Sequence, residues 1–303
     1  MKKILVVHYS QTGQLERLVG QFLMPLHDAD GIEIDVLPLQ PQQPFSFPWK
    51  FWRFFNTFPE TVHLRPAPIE NPQIPSERYD LVVLAYTVWF LSPSQPVAAF
   101  LQHPAARAVL EGTPVVTLTG CRNMWLTAHQ TVRKILSDMG ARLVGNIVKI
   151  DHCGSAASFV TTPAWMLTGD KQFFKKLPAA GISEAEIADC ARFGEKLRSV
   201  LESGAALDET LFQNMGAAKV NEKLMFGEQA AYRSFRIWGK GLMAAGSVSP
   251  WLRRVLLAAY IVFLIGIILT VVPAGALLRR LLAPFCETRI RRKKQELAAP
   301  SGE

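Results

Sequence analysis

Charged residues and cysteines are both scarce in this chain of 303 residues. Charged side chains make up 19% of the sequence, below the roughly one quarter that is usual for a soluble domain. The four cysteines form no C-x-x-C pair, which argues against a zinc ribbon or a thioredoxin-like motif and fits a reducing compartment. The first 250 residues carry 24 basic and 22 acidic side chains, so they lack the basic stripe of a nucleic-acid-binding domain.

A secretory signal is also missing from the first residues. After the initial methionine, only four apolar residues precede His8, whereas a signal peptide has a longer apolar stretch followed by a cleavage site. We therefore expect most of the chain to remain in the cytoplasm. The length suits one large domain or two small ones.

Strand and helix patterns alternate along the first 200 residues. Strands that alternate with helices form parallel sheets, and helices then cover both faces of the sheet. We therefore predict an α/β domain over residues 1–203 with a doubly wound parallel sheet of five strands. The predicted strands are 3–9, 32–37, 80–86, 114–119 and 142–150, and the predicted helices include 94–102, 124–139 and 183–202.

Two long stretches interrupt this alternation. Residues 38–76 form an insertion with nine prolines, and eight aromatic residues lie between positions 45 and 58. Loops of this length are usually functional or disordered. Two interpretations of the insertion stay open. In the first it is a proline-rich loop folded back on the core, and in the second it is a hydrophobic lid or a membrane-contact surface. Residues 151–180 are predicted to form a polar and aromatic loop.

The C-terminal third of the chain changes character. Apolar residues recur at helical spacing over 217–245 beside several basic ones, so the linker region 204–250 is predicted to contain an amphipathic helix. That helix lies either on an anionic membrane surface or against the domain. Residues 251–303 are predicted to be a hydrophobic membrane anchor with a basic tail.

The prediction of a membrane anchor is based on 24 consecutive uncharged residues, 255–278. As a helix they would be about 36 Å long, enough to cross a hydrocarbon core of about 30 Å. Three basic residues lie in 240–254 and seven in 279–294, so the positive-inside tendency keeps the C-terminal end in the cytoplasm, where the domain is also expected. One straight span would put the domain and the C-terminal end on opposite sides of the membrane, so it cannot keep both in the cytoplasm. A break at Pro273 and Gly275 would instead give a re-entrant or in-plane anchor. The sequence leaves these topologies open.

A short polar motif directly follows the first predicted strand and opens the first helix. Its spacing differs from the Walker loop and from G-x-G-x-x-G. Without a lysine or arginine, it would hold a phosphate with neutral donors and the helix dipole. The motif resembles the flavodoxin phosphate loop S/T-x-T-G-x-T, which implies FMN as the cofactor. It comprises Ser10, Gln11, Thr12, Gly13 and Gln14, with Leu15 replacing the final threonine.

Two later loops should lie beside this motif, because the carboxyl ends of parallel strands share one edge of the sheet. The first, 86–96, resembles the P-x-Y-W-x-x-x-P loop of flavodoxin-like quinone reductases. That resemblance implies backbone N–H groups that bind the flavin and an aromatic residue beside its ring. The second loop spans 120–125. The candidate flavin-binding residues are Thr87, Val88, Trp89 and Phe90 in the first loop, and Gly120, Cys121, Arg122 and Asn123 in the second.

Few residues are candidates for acid–base chemistry. His152 ends the last predicted strand and Tyr86 ends the third, and either would be able to transfer a proton. Arg122 would be able to stabilise a reduced flavin or a substrate oxyanion. Each also has an ordinary structural interpretation, as a packed side chain or a surface charge. No metal-ligand pattern is present in the sequence.

Taken together, five segments resemble the flavodoxin-like family of dialkylresorcinol biosynthesis. They are HYSQTGQ, PFSFPWKFWRFF, WFLSPSQP, GCRNMW and TTPAWMLTG, and the resemblance covers about residues 1–200. It implies an FMN-dependent oxidoreductase that aromatises a dialkylcyclohexanedione supplied by a partner ketosynthase.

Residues and resemblance together place such an enzyme on the cytoplasmic face of the bacterial inner membrane, with an apolar substrate, no nucleic acid and a homodimer as one option. An NAD(P)H-dependent quinone reductase and a non-enzymatic flavodoxin electron carrier are the alternatives.

Overall fold

The computed structural model describes residues 1–271, 273–275 and 292–301. Its sheet has the strand order β2-β1-β3-β5-β6, and every neighbouring pair on this path is parallel. This is the doubly wound order of the flavodoxin-like fold, so the predicted fold class is confirmed. The strands are β1 (Lys2–His8), β2 (Ile32–Pro38), β3 (Leu81–Trp89), the two-residue β4 (Ser92–Pro93), β5 (Pro114–Cys121) and β6 (Arg142–Ile150).

Helices cover both faces of the sheet. Successive residues of a strand point to opposite faces, so Ile4 and Val6 enter one core while Leu5 and Val7 enter the other. Residues 183–202, predicted as one helix, form two short helices separated by Asp189 and Cys190. The first core includes α1 (Gln14–His27), α7 (Glu184–Ala188) and α8 (Ala191–Ser203), and the second includes α3 (Gln95–Gln102), α4 (Pro104–Leu110) and α5 (Leu126–Asp138).

Two stretches predicted as loops contain helices. The insertion holds α2 (Phe51–Val62), and the stretch after β6 holds α6 (Gly154–Thr168). Each helix has an internal proline, Pro59 in α2 and Pro163 in α6. A proline removes one backbone hydrogen bond and usually marks a helix end, which explains the wrong prediction. Here packing of each helix against its neighbours outweighs that loss.

The core of the domain continues past residue 203. Leu211, Phe212 and Ala217 are buried in the first core, and the Ala217 carbonyl accepts a 2.8 Å hydrogen bond from the Val148 amide at the free edge of β6. The first part of the predicted linker therefore belongs to the folded domain.

Two long helices follow, α9 (Glu222–Val248) and α10 (Pro250–Leu269). They pack on each other and on α2, so the amphipathic helix predicted over 217–245 lies against other helices along part of its surface. Among the described residues one helix, Pro250–Gly275, is long and apolar enough to cross a membrane. Within the predicted anchor and basic tail, residues 272, 276–291 and 302–303 lie outside the described residues.

Candidate functional site

A large cavity of about 1290 Å³ lies at the carboxyl edge of the sheet. The loops after β1, β3, β5 and β6 all contribute to its wall, which is the edge where doubly wound sheets bind ligands. Its opposite wall comes from the aromatic insertion and from α9 and α10. Cavity-lining residues include Gln11, Thr12, Thr87, Trp89, Gly120, Arg122, Asp151, Phe235 and Ile268.

The loop between β1 and α1 has the geometry of an anion cradle. Gly13 is the N-terminal cap of α1 with φ of 78°, a left-handed conformation that favours glycine. The first N–H groups of a helix have no partner inside that helix and carry the positive end of its dipole. The Ser10 hydroxyl accepts a 3.2 Å hydrogen bond from the Glu16 amide, which tightens this turn. Thr12 and Leu15 line the cavity.

The two glutamine side chains of this loop are engaged elsewhere. Gln11 donates to the Ser46 carbonyl at 3.0 Å and accepts from the Trp49 indole at 3.2 Å. Gln14 donates to the Ile182 carbonyl at 3.1 Å. These amides therefore connect the insertion and the loop before α7 to the motif Ser10–Gln14. The backbone N–H groups and the Thr12 hydroxyl are the groups of this loop that could serve an anion.

The loop after β3 is a tight hairpin. β3 continues to Trp89, three residues beyond the predicted strand, and pairs with the antiparallel β4. The two turn residues, Phe90 and Leu91, have φ of 49° and 63°. Positive φ at both central positions defines a type I′ turn, which is costly for bulky side chains and marks functional segments. The turn presents Thr87, Val88, Trp89 and Phe90 to the cavity.

Aromatic rings from the insertion pack around this hairpin. Trp49 and Phe45 contact the Trp89 ring with centroid distances of 5.5 and 5.0 Å, and Phe54 contacts Phe90 at 5.0 Å. The two contacts with Trp89 are edge-to-face and the Phe54–Phe90 pair is tilted, and such aromatic contacts stabilise an apolar wall. The insertion packs on the domain, as the first interpretation predicts, and its residues also line the cavity. The membrane-contact surface of the second interpretation stays a prediction.

Arg122 is the only cationic side chain that the β5 loop brings to the cavity wall, within the described part of the chain. Its guanidinium lies 4.3 Å from the centre of the Phe159 ring of α6. It has no ion-pair partner within 4.0 Å among residues 1–271, 273–275 and 292–301. Burial lowers the pKa of Arg122, while the nearby Asp151 opposes that shift. The arrangement leaves a fixed, partly desolvated cation facing an apolar cavity.

Asp151 is a buried cavity-lining residue that the sequence analysis missed. Its carboxylate accepts hydrogen bonds from the Cys153 amide at 2.8 Å, the Thr162 hydroxyl at 3.0 Å and the Gly181 amide at 2.9 Å. Its own amide donates to the Cys121 carbonyl at 3.0 Å. Asp151 thus joins the β5 loop, the start of α6 and the loop before α7. In the sequence, the feature that indicates Asp151 as a site residue is its position at the carboxyl end of β6.

Five sequence candidates do not line the cavity: Ser10 and Gly13 of the loop before α1, and Tyr86, Asn123 and His152. Tyr86 is fully buried in the second core, where desolvation raises its pKa. His152 is exposed and its Nδ1 donates to the Gly181 carbonyl at 2.9 Å. Asn123 is buried next to the wall without lining it. The structure therefore brings Arg122 to the cavity, and it does not bring the proposed proton-transfer residues Tyr86 and His152.

The neighbouring thiols are held protonated. Burial raises the pKa of Cys121, with Glu228 as the next cause. Desolvation also raises the pKa of Cys153 to about 11, and this thiol donates to the Ala179 carbonyl at 2.7 Å. The ligand atoms of Asp151, His152 and Cys153 lie within 4.8 Å of one another. Each of these three side chains makes the hydrogen bonds described above, so the cluster has a structural role at the end of β6.

The strand order and the site together define a doubly wound α/β protein with an apolar cavity at its ligand-binding edge. No family model and no curated protein sequence matches the chain. Solved structures with a similar fold include a flavoprotein in complex with FMN from Lactobacillus acidophilus, with 14% identity over 49% of this chain and 93% of that chain and a TM-score of 0.40.

Two further solved structures show the same kind of similarity. Oxidised flavodoxin 1 from Bacillus cereus has 15% identity over 64% of this chain and 95% of its own, with a TM-score of 0.35. A WrbA-like flavodoxin from Agrobacterium tumefaciens has 10% identity over 67% and 99%, with a TM-score of 0.36. At such identities the similarity concerns the fold alone.

Proposed function

We propose that the chain is an FMN-dependent oxidoreductase that acts on an apolar substrate at a membrane. The observation that carries this proposal is the continuous cavity, which begins at the phosphate-loop motif and ends at residues of α10 such as Ile268 and Val271. Most of the polar residues that line it, such as Thr12, Arg122 and Asp151, lie at its inner end, and Lys223 and Ser234 of α9 line its opposite wall. A ligand that fits this cavity has a charged or polar head and a long apolar body.

The inner end of the cavity fits FMN. The phosphate would sit on the N-terminus of α1, held by backbone N–H groups of the motif Ser10–Gln14 and by the Thr12 hydroxyl. The hairpin residues 87–90 and the loop 120–122 would hold the flavin ring, and Trp89 offers an aromatic edge beside it. Roughly 300–1000 Å³ accommodates most small ligands, so the cavity of about 1290 Å³ has room for the cofactor and part of a substrate.

When bound, FMN supplies a two-electron acceptor. The residues of this chain would stabilise charge, hold the loops in place and exclude water. Arg122, held against Phe159, stabilises negative charge on a carbonyl oxygen of the substrate. The hydrogen bonds of Asp151 keep the β5 loop and the loop before α7 in place around Arg122. The aromatic wall excludes water, which strengthens the interaction of Arg122 with that oxygen.

The substrate we propose is a dialkylcyclohexanedione, which is aromatised to a dialkylresorcinol. The conversion removes two hydrogens from the ring: a proton, which would pass to solvent water, and a hydride, which FMN would accept. A separate acceptor, dioxygen in the assay below, would then take the two electrons. The family resemblance suggests this substrate, and the apolar cavity suits its alkyl chains. A ketosynthase would supply the dione.

A quinone reductase is the second candidate, because the same cavity suits a prenylated quinone. An electron carrier is supported less, since a carrier exposes its flavin to partner proteins, and here the insertion covers the ligand-binding edge.

The cofactor assignment is tested at Gly13. Gly13→Asp places a carboxylate beside the phosphate position on a left-handed residue, so purified protein should lose its yellow colour and its bound FMN. Gly31→Asp is the matched control, because Gly31 has φ of 79° with open space around it and lies outside the cavity. The measurement is the absorption spectrum of detergent-purified protein, followed by mass spectrometry of the released cofactor. Full FMN in Gly13→Asp would show that the cradle is misplaced.

The reaction is tested by turnover with two substrates. Purified FMN-loaded protein should convert a dialkylcyclohexanedione to the resorcinol in air without NAD(P)H, followed by mass spectrometry of the product. Oxidation of NAD(P)H that depends on an added quinone, with no resorcinol formed, would establish the quinone reductase instead. Arg122→Met should slow the dione reaction by roughly 10²-fold or more, and the FMN content should be measured in parallel to separate chemistry from cofactor binding.

A further inference from the structure

An apolar surface runs along α10 and the adjoining helices α2 and α9. On α10, Trp251, Val262 and Leu269 are each at least 70% exposed, and Trp52 of α2 is 56% exposed. Of the most apolar 18-residue window of Pro250–Gly275, only 18% is buried. Monomeric soluble proteins rarely expose so large an apolar patch, and the interior of a bilayer is the partner that its uniform chemistry fits.

The first half of α10 is fixed to the cavity-forming part of the molecule. Arg253 forms a bidentate ion pair with Glu60 of α2 at 2.6 and 2.8 Å. Tyr260 stacks on Phe58 with ring centroids 4.6 Å apart and an interplanar angle of 3°. The chain therefore enters the apolar segment on the side of the membrane where the α/β domain lies.

The chain after the apolar segment returns to the same domain. Leu297 and Ala298 are buried in a cluster with Trp125 and Met225. The Ser301 hydroxyl accepts a 2.7 Å hydrogen bond from the Asn146 amide of β6. The residues that precede and follow the apolar segment thus contact one folded body and lie on one side of the membrane.

A second crossing would be needed to reconcile these contacts with a transmembrane α10, and the sequence does not provide one. Only sixteen residues, 276–291, connect Gly275 to Arg292, and they include four arginines and one glutamate. As a helix they would be about 24 Å long, shorter than a hydrocarbon core of about 30 Å. Each arginine at mid-membrane costs about 2.5–3.5 kcal/mol even on the mildest scale.

We propose that Pro250–Gly275 is a monotopic anchor, which enters one leaflet and does not cross the bilayer. This topology removes the conflict found in the sequence, because the domain and the basic residues after the segment lie on the same side. It also places the cavity opening in the lipid, since Ile265 is 52% exposed and lines the cavity. The inference rests on α10 and the C-terminal contacts and does not depend on the flavin or the reaction.

Cysteine labelling in sealed inverted membrane vesicles tests the topology. In a Cys286→Ser background, a cysteine is introduced at Gln295, which is exposed beyond the anchor, or at Glu209, an exposed reference position on the domain. A membrane-impermeant maleimide should label both positions to the same extent without detergent. Labelling of Glu209→Cys alone, with Gln295→Cys labelled only after permeabilisation, would establish a transmembrane helix and overturn the proposal.

Membrane insertion itself is tested by flotation with phosphatidylethanolamine–phosphatidylglycerol vesicles. Val262→Asp puts a charge on the exposed face of α10 and should reduce the floating fraction at least tenfold, with unchanged far-UV circular dichroism. Gln130→Asp places the same charge on the exposed surface of α5 and should float like the wild type. Equal flotation of the two variants, or wild-type protein that stays soluble without detergent, would also overturn the proposal.

Discussion

Glu228 of α9 is buried against the first turn of α5, and its environment predicts an unusual pH dependence of stability. Only 1% of Glu228 is exposed, and its Oε1 accepts from the Thr127 amide at 2.6 Å and the Thr127 hydroxyl at 2.9 Å. Burial raises the pKa of this carboxyl to about 7, although these hydrogen bonds favour the charged form.

The sign of the effect follows from proton linkage. The folded protein holds this proton more tightly than the unfolded chain, whose ordinary pKa is 4.5. The stabilisation is therefore complete below about pH 4.5 and is lost as the pH rises to about 7. A shift of this size corresponds to about 3 kcal/mol at about 1.4 kcal/mol per pH unit.

Glu228→Gln tests this reasoning. The glutamine oxygen can accept both hydrogen bonds from Thr127 and carries no charge, so it mimics the protonated acid at every pH. Denaturant unfolding in detergent at pH 5, 6, 7 and 8 should show the variant gaining about 2–3 kcal/mol over the wild type between pH 5 and 8.

Glu222→Gln is the control on the same helix. Glu222 forms a solvent-exposed ion pair with Lys294 at 3.4 Å, so its removal should change stability by less than about 1 kcal/mol at any of these pH values. Wild-type and Glu228→Gln curves that stay parallel from pH 5 to 8 would refute the reasoning, because the buried carboxyl would then gain no proton on folding.

Two further predictions concern packing and the aromatic insertion. Gly194→Ala should lower the free energy of unfolding by at least about 1–3 kcal/mol, because its Cβ would lie 2.0 Å from the Phe22 carbonyl oxygen. The control is Gly20→Ala in α1, which has open space around it and should be neutral or slightly stabilising. Denaturant unfolding measures the stability of both variants. Trp49→Ala should lower turnover of a long-chain dione and FMN content, because Trp49 lines the cavity, whereas Trp52→Ala should lower only vesicle flotation because Trp52 faces outward. Identical losses in the two tryptophan variants would indicate a common folding defect instead.

The sheet and the position of the polar turn Ser10–Gln14 could be predicted because their signals are local. Continuous apolar runs fix the strands, and a small polar turn between a strand and a helix fixes the position of Ser10–Gln14. The strand positions agree with the structure to within a few residues at each end. The extension of β3 to Trp89 was missed, because its hairpin turn consists of Phe90 and Leu91, which are not turn-forming residues.

The cavity could not be predicted in this way, because its outer wall depends on contacts between distant parts of the chain. Phe58 meets Tyr260 across about 200 residues, and nothing local in either segment indicates that stack. The sequence points to His152 and not to the adjacent Asp151, because histidine is the more usual proton-transfer residue. Burial and three hydrogen-bond donors distinguish the aspartate, and both are properties of the fold.

The role of α10 connects the two proposals physically. A doubly wound domain normally opens its ligand-binding edge to water, and an apolar substrate would then have to leave the lipid before it could bind. Here one helix presents Val262 and Leu269 outward while Ile261 and Ile268 line the cavity. Under the two proposals, the same segment would contact lipid on one side and form a wall of the binding cavity on the other. The ion pair between Arg253 and Glu60 attaches this wall to α2 of the insertion. A substrate that moves from the leaflet along α10 would keep its alkyl chains in apolar surroundings throughout, so its transfer to the site avoids the desolvation steps that a route through water would require.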